Sequence, residues 1–555
     1  MMSIDDEARR AMQGPPTTQS EFLARSMQQS TSGGSNPRQT SMASSGPPSA
    51  QYRVSQTPEG IDLESSRIAP EIQSKEGADE STARMRYWVI IFGLLIVICV
   101  GAAAIVVPLY VKPQYESDPI VIIQTGAPAP SASVVPNSSP TQAPTPKDVP
   151  TLPPTTAAFA TFVNQFALEI SGSEAFENPD SPQYKAADFI ANDAEYAPRL
   201  SDKAMLGDLY AASVFYFSTA GEYWFECSQG SDNCPDGISW MSSNVTYCHW
   251  SWIGCNDAGR IVDIVFSENK GNNLTGTLTS ELGLLTELEQ FVAVNDDIKG
   301  ALPDELGSLT HMTHLILANN SLSGRISDTF LENSPVEVFM LSDNKFKGNI
   351  PKSLTLMPSI LQIFLRNNRF SGPIPEELGA LPHLATLDLA GNRFEGEIPD
   401  SIFSPTMENL YLGGNSEITG TLSPAVGSAA NLVRLYISGT RISGSLPDDL
   451  FTLGHLSELV LSNNTLTGEL PESVANLGGT LRLMKLDGNK FSGDMPSAAI
   501  NSLVVSNVLT FDRNSFTGAI SPTTCRRRGD GYHDLQILSV DCAEVTCSCC
   551  NNCAL

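Results

Sequence analysis

Apolar positions recur along the second half of the chain in units of 24 residues, which lengthen to 25 in the last two units. In residues 381–402, LPHLATLDLAGNRFEGEIPDSI, leucines follow the spacing LxxLxLxx and are followed by a polar turn and a glycine. The alternating LxL core predicts a short strand with one buried face. Because one such unit cannot enclose a core by itself, neighbouring units must stack. We therefore expect a solenoid of about eleven coils.

Two columns of turn residues run through these units. The glycine that closes each turn numbers the coils from 1 to 11, and it lies at Gly276, Gly300, Gly324, Gly348, Gly372, Gly396, Gly420, Gly444, Gly468, Gly493 and Gly518. The asparagine before it lies at Asn269, Asn320, Asn344, Asn368, Asn392, Asn415, Asn464, Asn489 and Asn514. A buried amide at an inward turn can satisfy backbone groups of the adjacent coil. Asp296 and Thr440 replace the asparagine in two coils. Because both side chains can accept hydrogen bonds, we expect local softness there and not the end of the solenoid.

The full unit, LxxLxLxxNxLxGxIPxxLGxL, resembles the plant-type leucine-rich repeat. In that family the Gly-x-Ile/Leu-Pro element, present here in residues 348–351 and 372–375, forms a second, lateral strand that twists the solenoid. The resemblance implies a right-handed leucine-rich repeat α/β solenoid over residues 261–521, with short parallel strands on its concave face. It extends to the ectodomains of receptor-like kinases and receptor-like proteins and to polygalacturonase inhibitors. We expect no kinase domain, because no kinase motif occurs in the sequence.

Ten cysteines flank the repeats. They are Cys227, Cys234, Cys248, Cys255, Cys525, Cys542, Cys547, Cys549, Cys550 and Cys553. An even number at each end indicates disulfides formed in an oxidising compartment. Their positions resemble the cysteine-bearing caps of plant-type repeat ectodomains. This implies a helical, cysteine-containing amino-terminal cap over residues 157–260 and a cysteine-rich carboxyl-terminal cap over residues 522–555.

Within the first cap, residues 248–255 (CHWSWIGC) are similar to the family's CxWxGxxC motif, although Trp252 stands where glycine is usual. We favour the pairs Cys227–Cys234 and Cys248–Cys255, while four cysteines allow three connectivities. The final CSCCNNC could be a metal cluster as well as a disulfide cluster. Because an oxidising compartment favours disulfides, we expect no bound metal and no cofactor.

An apolar segment lies in the first half of the chain. Residues 87–111 contain no charged side chain, and as a helix they are long enough to cross a hydrocarbon core of about 30 Å. We predict a transmembrane helix there. Basic residues precede it and acidic residues follow it, so the amino terminus should face the cytoplasm. Residues 1–86 have the composition of a disordered tail, and residues 112–156 that of a Pro/Ser/Thr-rich stalk. These features predict a single-pass type II membrane protein whose repeats are extracellular or lumenal, and of these membranes we favour the plasma membrane.

Five asparagines lie in glycosylation sequons, in agreement with an extracellular or lumenal domain. They are Asn137, Asn244, Asn273, Asn319 and Asn463. Asn319 and Asn463 directly precede a turn asparagine, where we expect an exposed side chain. The formal net charge is −28, and so acidic a chain is not expected to bind nucleic acid.

No catalytic motif occurs in the sequence, so we expect a protein without enzymatic activity. The resemblance implies that a ligand is bound by the x residues of LxxLxLxx on the concave face. Aromatic residues recur there on neighbouring coils, as in a binding patch, although strand propensity alone also favours them. The candidate ligand-binding residues are Phe364, Arg366, Asp388, Tyr411, Arg434 and Tyr436.

Three functions fit these features. The first is a membrane-anchored recognition protein, receptor-like or a co-receptor, that binds an extracellular protein, peptide or glycan and signals by associating with a signalling co-receptor. The second is a structural or adhesive protein that links the membrane to the cell wall or matrix. The third is an enzyme inhibitor of the polygalacturonase-inhibitor type, which would require release from the membrane.

Overall fold

The computed structural model describes residues 156–192, 202–234, 238–266, 271–332, 334–527, 535–550 and 552–553. The expected tail, transmembrane helix and stalk lie outside the described residues, apart from Thr156, and so do Asn137 and Asn269. Among the described helices, none combines the length and the apolar character that a membrane span needs. The transmembrane segment therefore stays a prediction.

Three helices precede the first coil. They are α1 (Thr156–Ser171), α2 (Pro182–Asn192) and α3 (Lys203–Ser218). The Asp202 carboxylate caps α3 by accepting a hydrogen bond from the Ala204 amide at 2.9 Å. Helix α3 is buried along most of its length, including Leu209 and Phe215, because it packs against α2 on one side and against the first coil on the other. The helices thus cover the apolar end of the solenoid.

The strands of the LxL cores form one concave sheet. In sheet order the strands are Ile253–Cys255, Ile261–Val265, Gln290–Val292, His314–Ile316, Val338–Met340, Gln362–Phe364, Thr386–Asp388, Asn409–Tyr411, Arg434–Tyr436, Glu458–Val460, Leu483–Lys485, Val508–Thr510, Ile537–Val540 and Asn552–Cys553. Only the first pair is antiparallel. In the parallel part the register follows the repeat, so Asp388 lies between Phe364 and Tyr411 on adjacent strands. The expected short parallel strands are confirmed.

The turn that follows each concave strand leads into a second, lateral strand. One lateral sheet contains Thr275–Thr277, Asp297–Gly300, Ser321–Gly324, Lys345–Gly348, Arg369–Pro373, Arg393–Glu397 and Glu417–Thr419. Another contains Ser443–Gly444, Thr465–Gly468, Lys490–Asp494, Ser515–Ala519 and Val545–Thr546. Between the two sheets, Thr421 and Ser443 form an isolated bridge, and the Arg441 and Ser443 amides donate to the Ile418 and Gly420 carbonyls at 2.8 Å. This interruption of the regular lateral strand pairing lies in the coil where Thr440 replaces asparagine. The concave sheet continues through the same coil.

Short helical turns on a further side complete the coils. In the coils the 3₁₀ turns are Ser280–Leu284, Leu306–Ser308, Lys352–Leu356, Glu376–Ala380, Asp400–Ile402, Pro424–Ser428, Asp448–Thr452 and Glu472–Leu477, and the α-helical turns are α4 (Ser497–Ser502) and α5 (Pro522–Cys525). Three further 3₁₀ turns, Ser173–Phe176, Gly221–Tyr223 and Tyr247–His249, lie in the amino-terminal cap. Leucines from the strands and turns fill the interior. The rings of Phe346, Phe370 and Phe394 stack from coil to coil, with centroids 6.2 and 6.4 Å apart.

The turn asparagines join neighbouring coils, as expected. In coil 6 the Asn392 amide donates to the carbonyls of Leu365 and Leu389 at 2.8 and 3.1 Å and accepts from the Phe370 amide at 3.0 Å. Asp296 accepts from the amides of Asn272 and Leu274 at 2.8 and 2.9 Å. The Thr440 hydroxyl behaves differently from our expectation, because it donates to Asn464 instead of accepting.

Disulfides occupy both caps. In the amino-terminal cap Cys227 is bonded to Cys234 and Cys248 to Cys255, the pairs we favoured. In the carboxyl-terminal cap the pairs are Cys525–Cys549 and Cys547–Cys550, and Cys542 is also disulfide-bonded. The sulfurs of Cys525, Cys547 and Cys549 lie within 4.8 Å of one another, but all three are used in disulfides. The Cys553 side chain lies outside the described residues.

Trp252, which stands where the cap motif usually has glycine, has a backbone conformation that favours glycine. Its φ is +69°, in the left-handed region that costs a non-glycine residue free energy. Its ring packs on Phe266 with centroids 5.1 Å apart. This turn therefore combines a backbone conformation that favours glycine with an aromatic contact that glycine could not make.

Candidate functional site

An apolar cluster lies on the concave sheet, separate from the interior core. It consists of Val292, Val294, Ile316, Val338 and Met340, with Val265, Ala318 and Phe364 packed around it. Adjacent strands lie about 4.8 Å apart, so their outward side chains cover one another. The five central residues are only 2–8% exposed. This apolar cluster covers the concave face of coils 1 to 5.

A tyrosine cluster follows on coils 7 to 9, formed by Asn409, Tyr411, Arg434, Tyr436 and Glu458. The rings of Tyr411 and Tyr436 lie 5.1 Å apart. The Arg434 guanidinium donates to the Asn409 side chain at 2.9 Å and forms an ion pair with Glu458 at 3.5 Å. The Tyr436 hydroxyl donates to the other oxygen of the Glu458 carboxylate. The cluster is thus preorganised by its own contacts.

Electrostatics in the tyrosine cluster favour a neutral tyrosine pair beside a permanent cation. Burial raises the pKa of Tyr411 to about 12, and the nearby Arg434 charge offsets part of that rise. Burial also raises the pKa of Tyr436, and Glu458 raises it further. Burial alone would lower the pKa of Arg434, but Tyr411 and Glu458 more than offset this, so its pKa is raised. Both tyrosines therefore keep their hydroxyl protons at neutral pH.

Asp388 separates the two clusters and is more enclosed than an open binding surface requires. Asp388 is 8% exposed, and one of its carboxylate oxygens accepts a hydrogen bond from the Ala390 amide at 3.0 Å. Burial raises the pKa of Asp388 to about 6, although the charge of Arg366 lowers it. Neighbouring strands enclose the side chain, so it is less available to a ligand than the sequence pattern suggests.

The structure brings together only part of the predicted patch. Tyr411, Arg434 and Tyr436 are in contact, whereas Phe364 belongs to the apolar cluster and is half-buried. Sequence reasoning did not select Asn409 and Glu458, nor did it select the apolar residues of the preceding coils. All of these residues occupy x positions of LxxLxLxx. Considering every x position, and not only the aromatic ones, would have identified them from the sequence.

Four of the five sequons lie in the described part of the chain. Asn244, Asn319 and Asn463 are exposed, and Asn273 is half-buried. The expected exposure of Asn319 and Asn463 is confirmed. The Asn319 amide nitrogen donates to Asn295 at 2.8 Å, and that of Asn273 donates to the Tyr223 carbonyl at 2.9 Å. Glycosylation of these residues stays a prediction.

The sequence profile of the Leucine Rich Repeat family matches residues 383–404, 431–453 and 455–477. These segments are coils whose strands and turns were described above. The chain therefore contains leucine-rich repeats. No curated protein matches its sequence.

Solved structures with similar folds include plant receptors. A plant peptide hormone receptor, RGFR1 in complex with RGF2, is 30% identical over 46% of this chain and 40% of that chain, with a TM-score of 0.44. The Arabidopsis receptor kinase HAESA, in complex with the peptide hormone IDA and the co-receptor SERK1, is 26% identical over 48% of this chain and 52% of that chain, with a TM-score of 0.40. A plant ice-binding protein is 21% identical over 60% of this chain and 97% of that chain, with a TM-score of 0.40. The chain thus covers less than two thirds of either receptor.

Proposed function

We propose that this leucine-rich repeat protein is a membrane-anchored recognition protein that binds an extracellular peptide or protein through its concave sheet. The observation that carries the proposal is the apolar cluster on coils 1 to 5, which is separate from the core and is followed on the same sheet by the tyrosine cluster. A solenoid does not need apolar residues at these outward positions for its own packing. The partly buried margin of the apolar cluster, formed by Val265, Ala318 and Phe364, leaves apolar surface on the concave face, and exposed apolar patches mark binding sites.

The two clusters suit different parts of one extended ligand. The margin of the apolar cluster, above all the half-buried Phe364, offers contacts for aliphatic or aromatic side chains. The tyrosine cluster offers aromatic faces, a hydroxyl from Tyr411 and the guanidinium of Arg434. Tyrosine and arginine are among the residues that contribute most to binding energy at interfaces. A peptide segment with apolar side chains followed by polar ones therefore fits this face better than a uniformly polar glycan does.

Preorganisation supports recognition over a purely structural role. The ion pair of Arg434 with Glu458 and the hydrogen bond from Tyr436 to Glu458 hold the side chains in place before a ligand arrives. Side chains that are already ordered lose less conformational entropy on binding. A structural coat, our alternative, would not require such an arrangement at a single place on the sheet.

Anchoring and signalling complete the proposal. Residues 87–111 would hold the repeats at the plasma membrane with the amino terminus in the cytoplasm, as their composition and flanking charges predict. The sequence contains no kinase motif, so we propose that the signal passes through a partner protein with a signalling domain.

The proposal is tested by comparing three forms of the full-length chain on intact cells. Proximity labelling from the ectodomain identifies the partners of the parent, of the Tyr411→Ala/Tyr436→Ala double variant and of the control Phe225→Ala. Phe225 is 67% exposed and lies in the amino-terminal cap. A recognition protein loses one specific partner in the double variant alone. An unchanged partner set in the double variant contradicts the proposal and favours the adhesive alternative.

A further inference from the structure

A basic strip crosses the lateral sheet on coils 3 to 6, away from the concave face. It consists of Arg325, Lys345, Lys347, Arg369 and Arg393, and all five side chains are exposed. Lys345, Arg369 and Arg393 occupy the same position of three consecutive coils, three residues before the marker glycine. Adjacent lateral strands pair with an offset of two residues relative to the repeat, so that Lys347 lies opposite Arg369, and they lie about 4.8 Å apart. The strip is therefore a regular array of cations that runs along the solenoid.

Like charges are direct neighbours in this strip. Lys347 and Arg369 are register partners on adjacent strands. The Arg325 side chain lies over the neighbouring strand, with its Cγ 3.2 Å from the position a Cβ atom at Gly348 would occupy. Like charges opposite one another on a sheet destabilise it. An anionic ligand would relieve this repulsion.

Three carboxylates near the strip are bound to other groups, while Glu395 and Glu397, on the same strand as Arg393, are exposed and reduce the positive charge at coil 6. Asp297, in the same column two coils before Lys345, forms an ion pair with Lys299 at 2.8 Å. Glu417, one coil after Arg393, forms an ion pair with Arg441 at 2.9 Å. Asp343, two residues before Lys345, accepts from the Asn367 side chain at 2.7 Å. Within the described ranges, none of the five cations forms an ion pair. The strip thus remains positive although the whole chain carries a formal charge of −28.

We propose that the basic strip binds a linear acidic glycan, whose sulfate or carboxylate groups recur along the chain as the cations recur along the solenoid. A linear polymer matches the array better than a compact anion, because the cations extend over four coils and do not converge on one point. Lysine and arginine both bind sulfate and carboxylate groups through charge-assisted hydrogen bonds. The site is on a different face from the concave clusters and does not rest on the function proposed for them.

Serine variants of the full-length chain test this site. The first is Lys347→Ser/Arg369→Ser/Arg393→Ser. Serine occupies equivalent positions in neighbouring coils, as at Ser321, Ser323 and Ser371, so the lateral strand tolerates it. The matched control, Lys299→Ser/Arg441→Ser/Lys490→Ser, removes the same charge from the same columns elsewhere on the sheet. A third variant, Lys347→Arg/Arg369→Lys/Arg393→Lys, keeps the charge.

Binding is measured with heparin as the sulfated probe, polygalacturonate as the carboxylated probe and dextran as the neutral probe. We expect the parent to bind at least one acidic glycan and not dextran, with binding that weakens as salt is added. The strip variant should lose about tenfold or more in affinity, while the charge-keeping variant and the control stay close to the parent. The acidic probe that binds identifies sulfate or carboxylate as the recognised group.

Several results would overturn the proposal. Equal loss in the strip variant and in the control would mean that only overall charge matters. Equal binding of dextran, or binding of neither acidic glycan, would remove the ligand class. If phosphatidylserine nanodiscs bind through the strip and neither glycan does, the partner is a membrane surface and the proposal is wrong.

Discussion

At the residue scale, one glycine in each coil performs a task that no other residue type performs without cost. The marker glycines of coils 1 to 11 have φ between +77° and +95°. This conformation lets the lateral strand leave the turn and is unfavourable for residues with a Cβ atom. Glycine is therefore required in every coil by the backbone conformation. Only in some coils is it also required because a Cβ atom would collide with a neighbouring residue.

Gly396 separates these two requirements. Its φ is +83°, and a Cβ atom there would meet no other heavy atom within 4 Å. Gly396→Ala should therefore destabilise the fold by roughly 1–2 kcal/mol through backbone strain alone. Gly454→Ala is the control, because that position also has open space and lacks a positive φ. Chemical denaturation of both variants measures the difference, and equal stability of the two would refute the strain account.

Asp296 is a residue at which stability depends on pH. It replaces the turn asparagine of coil 2, and burial raises its pKa to about 6, although backbone amides lower it. Because the pKa is raised in the folded state, the carboxyl group favours folding most at low pH, and this contribution is lost as pH rises through about 6. Among the residues that the structure describes, one oxygen of this carboxyl group also has no hydrogen-bond partner.

Asp296→Asn should therefore be more stable than the parent at pH 7.5 by roughly 1–3 kcal/mol, and the gain should shrink towards pH 4. Thermal unfolding at both pH values measures it. Asp297→Asn is the control, since Asp297 is exposed and the hydrogen bonds from Lys299 and Ser321 lower its pKa. A gain that is the same at both pH values would show that the charge of Asp296 is not the cause.

At the element scale, the sequence predicts the coils better than it predicts the joins between them. The LxL spacing identifies the concave strands, and the asparagine column identifies the hydrogen bonds between coils. The irregular pairing of the lateral strands between Thr419 and Ser443 was not predicted. It depends on the register between two coils and not on the residue pattern within one coil. The sequence likewise showed that Trp252 departs from the cap motif, but it could not predict the packing of its ring on Phe266, which is a tertiary contact.

The candidate site was predicted in part for the same reason. The strand pattern shows which residues point outward, so Tyr411, Arg434 and Tyr436 could be selected from sequence. How far neighbouring side chains cover an outward residue depends on packing across strands. The enclosure of Asp388 and the contact of Arg434 with Glu458 therefore required the structure.

The caps protect the ends of the solenoid, where an unpaired strand and an open core would otherwise promote aggregation. Replacing Cys248 and Cys255 together by serine removes a disulfide of the first cap. We expect the free energy of unfolding of the terminal coils to fall by about 2–3 kcal/mol, while the central coils keep their stability. Hydrogen exchange measures this, because the coils around Phe394 should keep their protection while those near Ile264 lose it. Simultaneous loss in both regions would contradict independent protection by the cap.

At the scale of the whole molecule, the proposal requires the repeats to lie outside the cell. Protease added to intact cells should remove the solenoid and leave an amino-terminal tag protected, because the charges that flank residues 87–111 favour a cytoplasmic amino terminus. A carboxyl-terminal tag on the same chain serves as the internal comparison. Protection of the carboxyl-terminal tag in cells whose chain is at the surface would contradict this topology.

Recognition through the concave sheet is the central claim, and site-specific photocrosslinking on intact cells tests it most directly. A photoreactive amino acid is placed in the full-length chain at Phe364 or Tyr411 on the concave face, or at Leu356 on the helical side, where the native side chain is 50% exposed. The account predicts one discrete adduct from both concave positions, its loss on Tyr436→Ala in the Phe364-labelled chain, and no such adduct from Leu356. The same adduct from all three positions, or none from the concave face while Leu356 reacts, would contradict it.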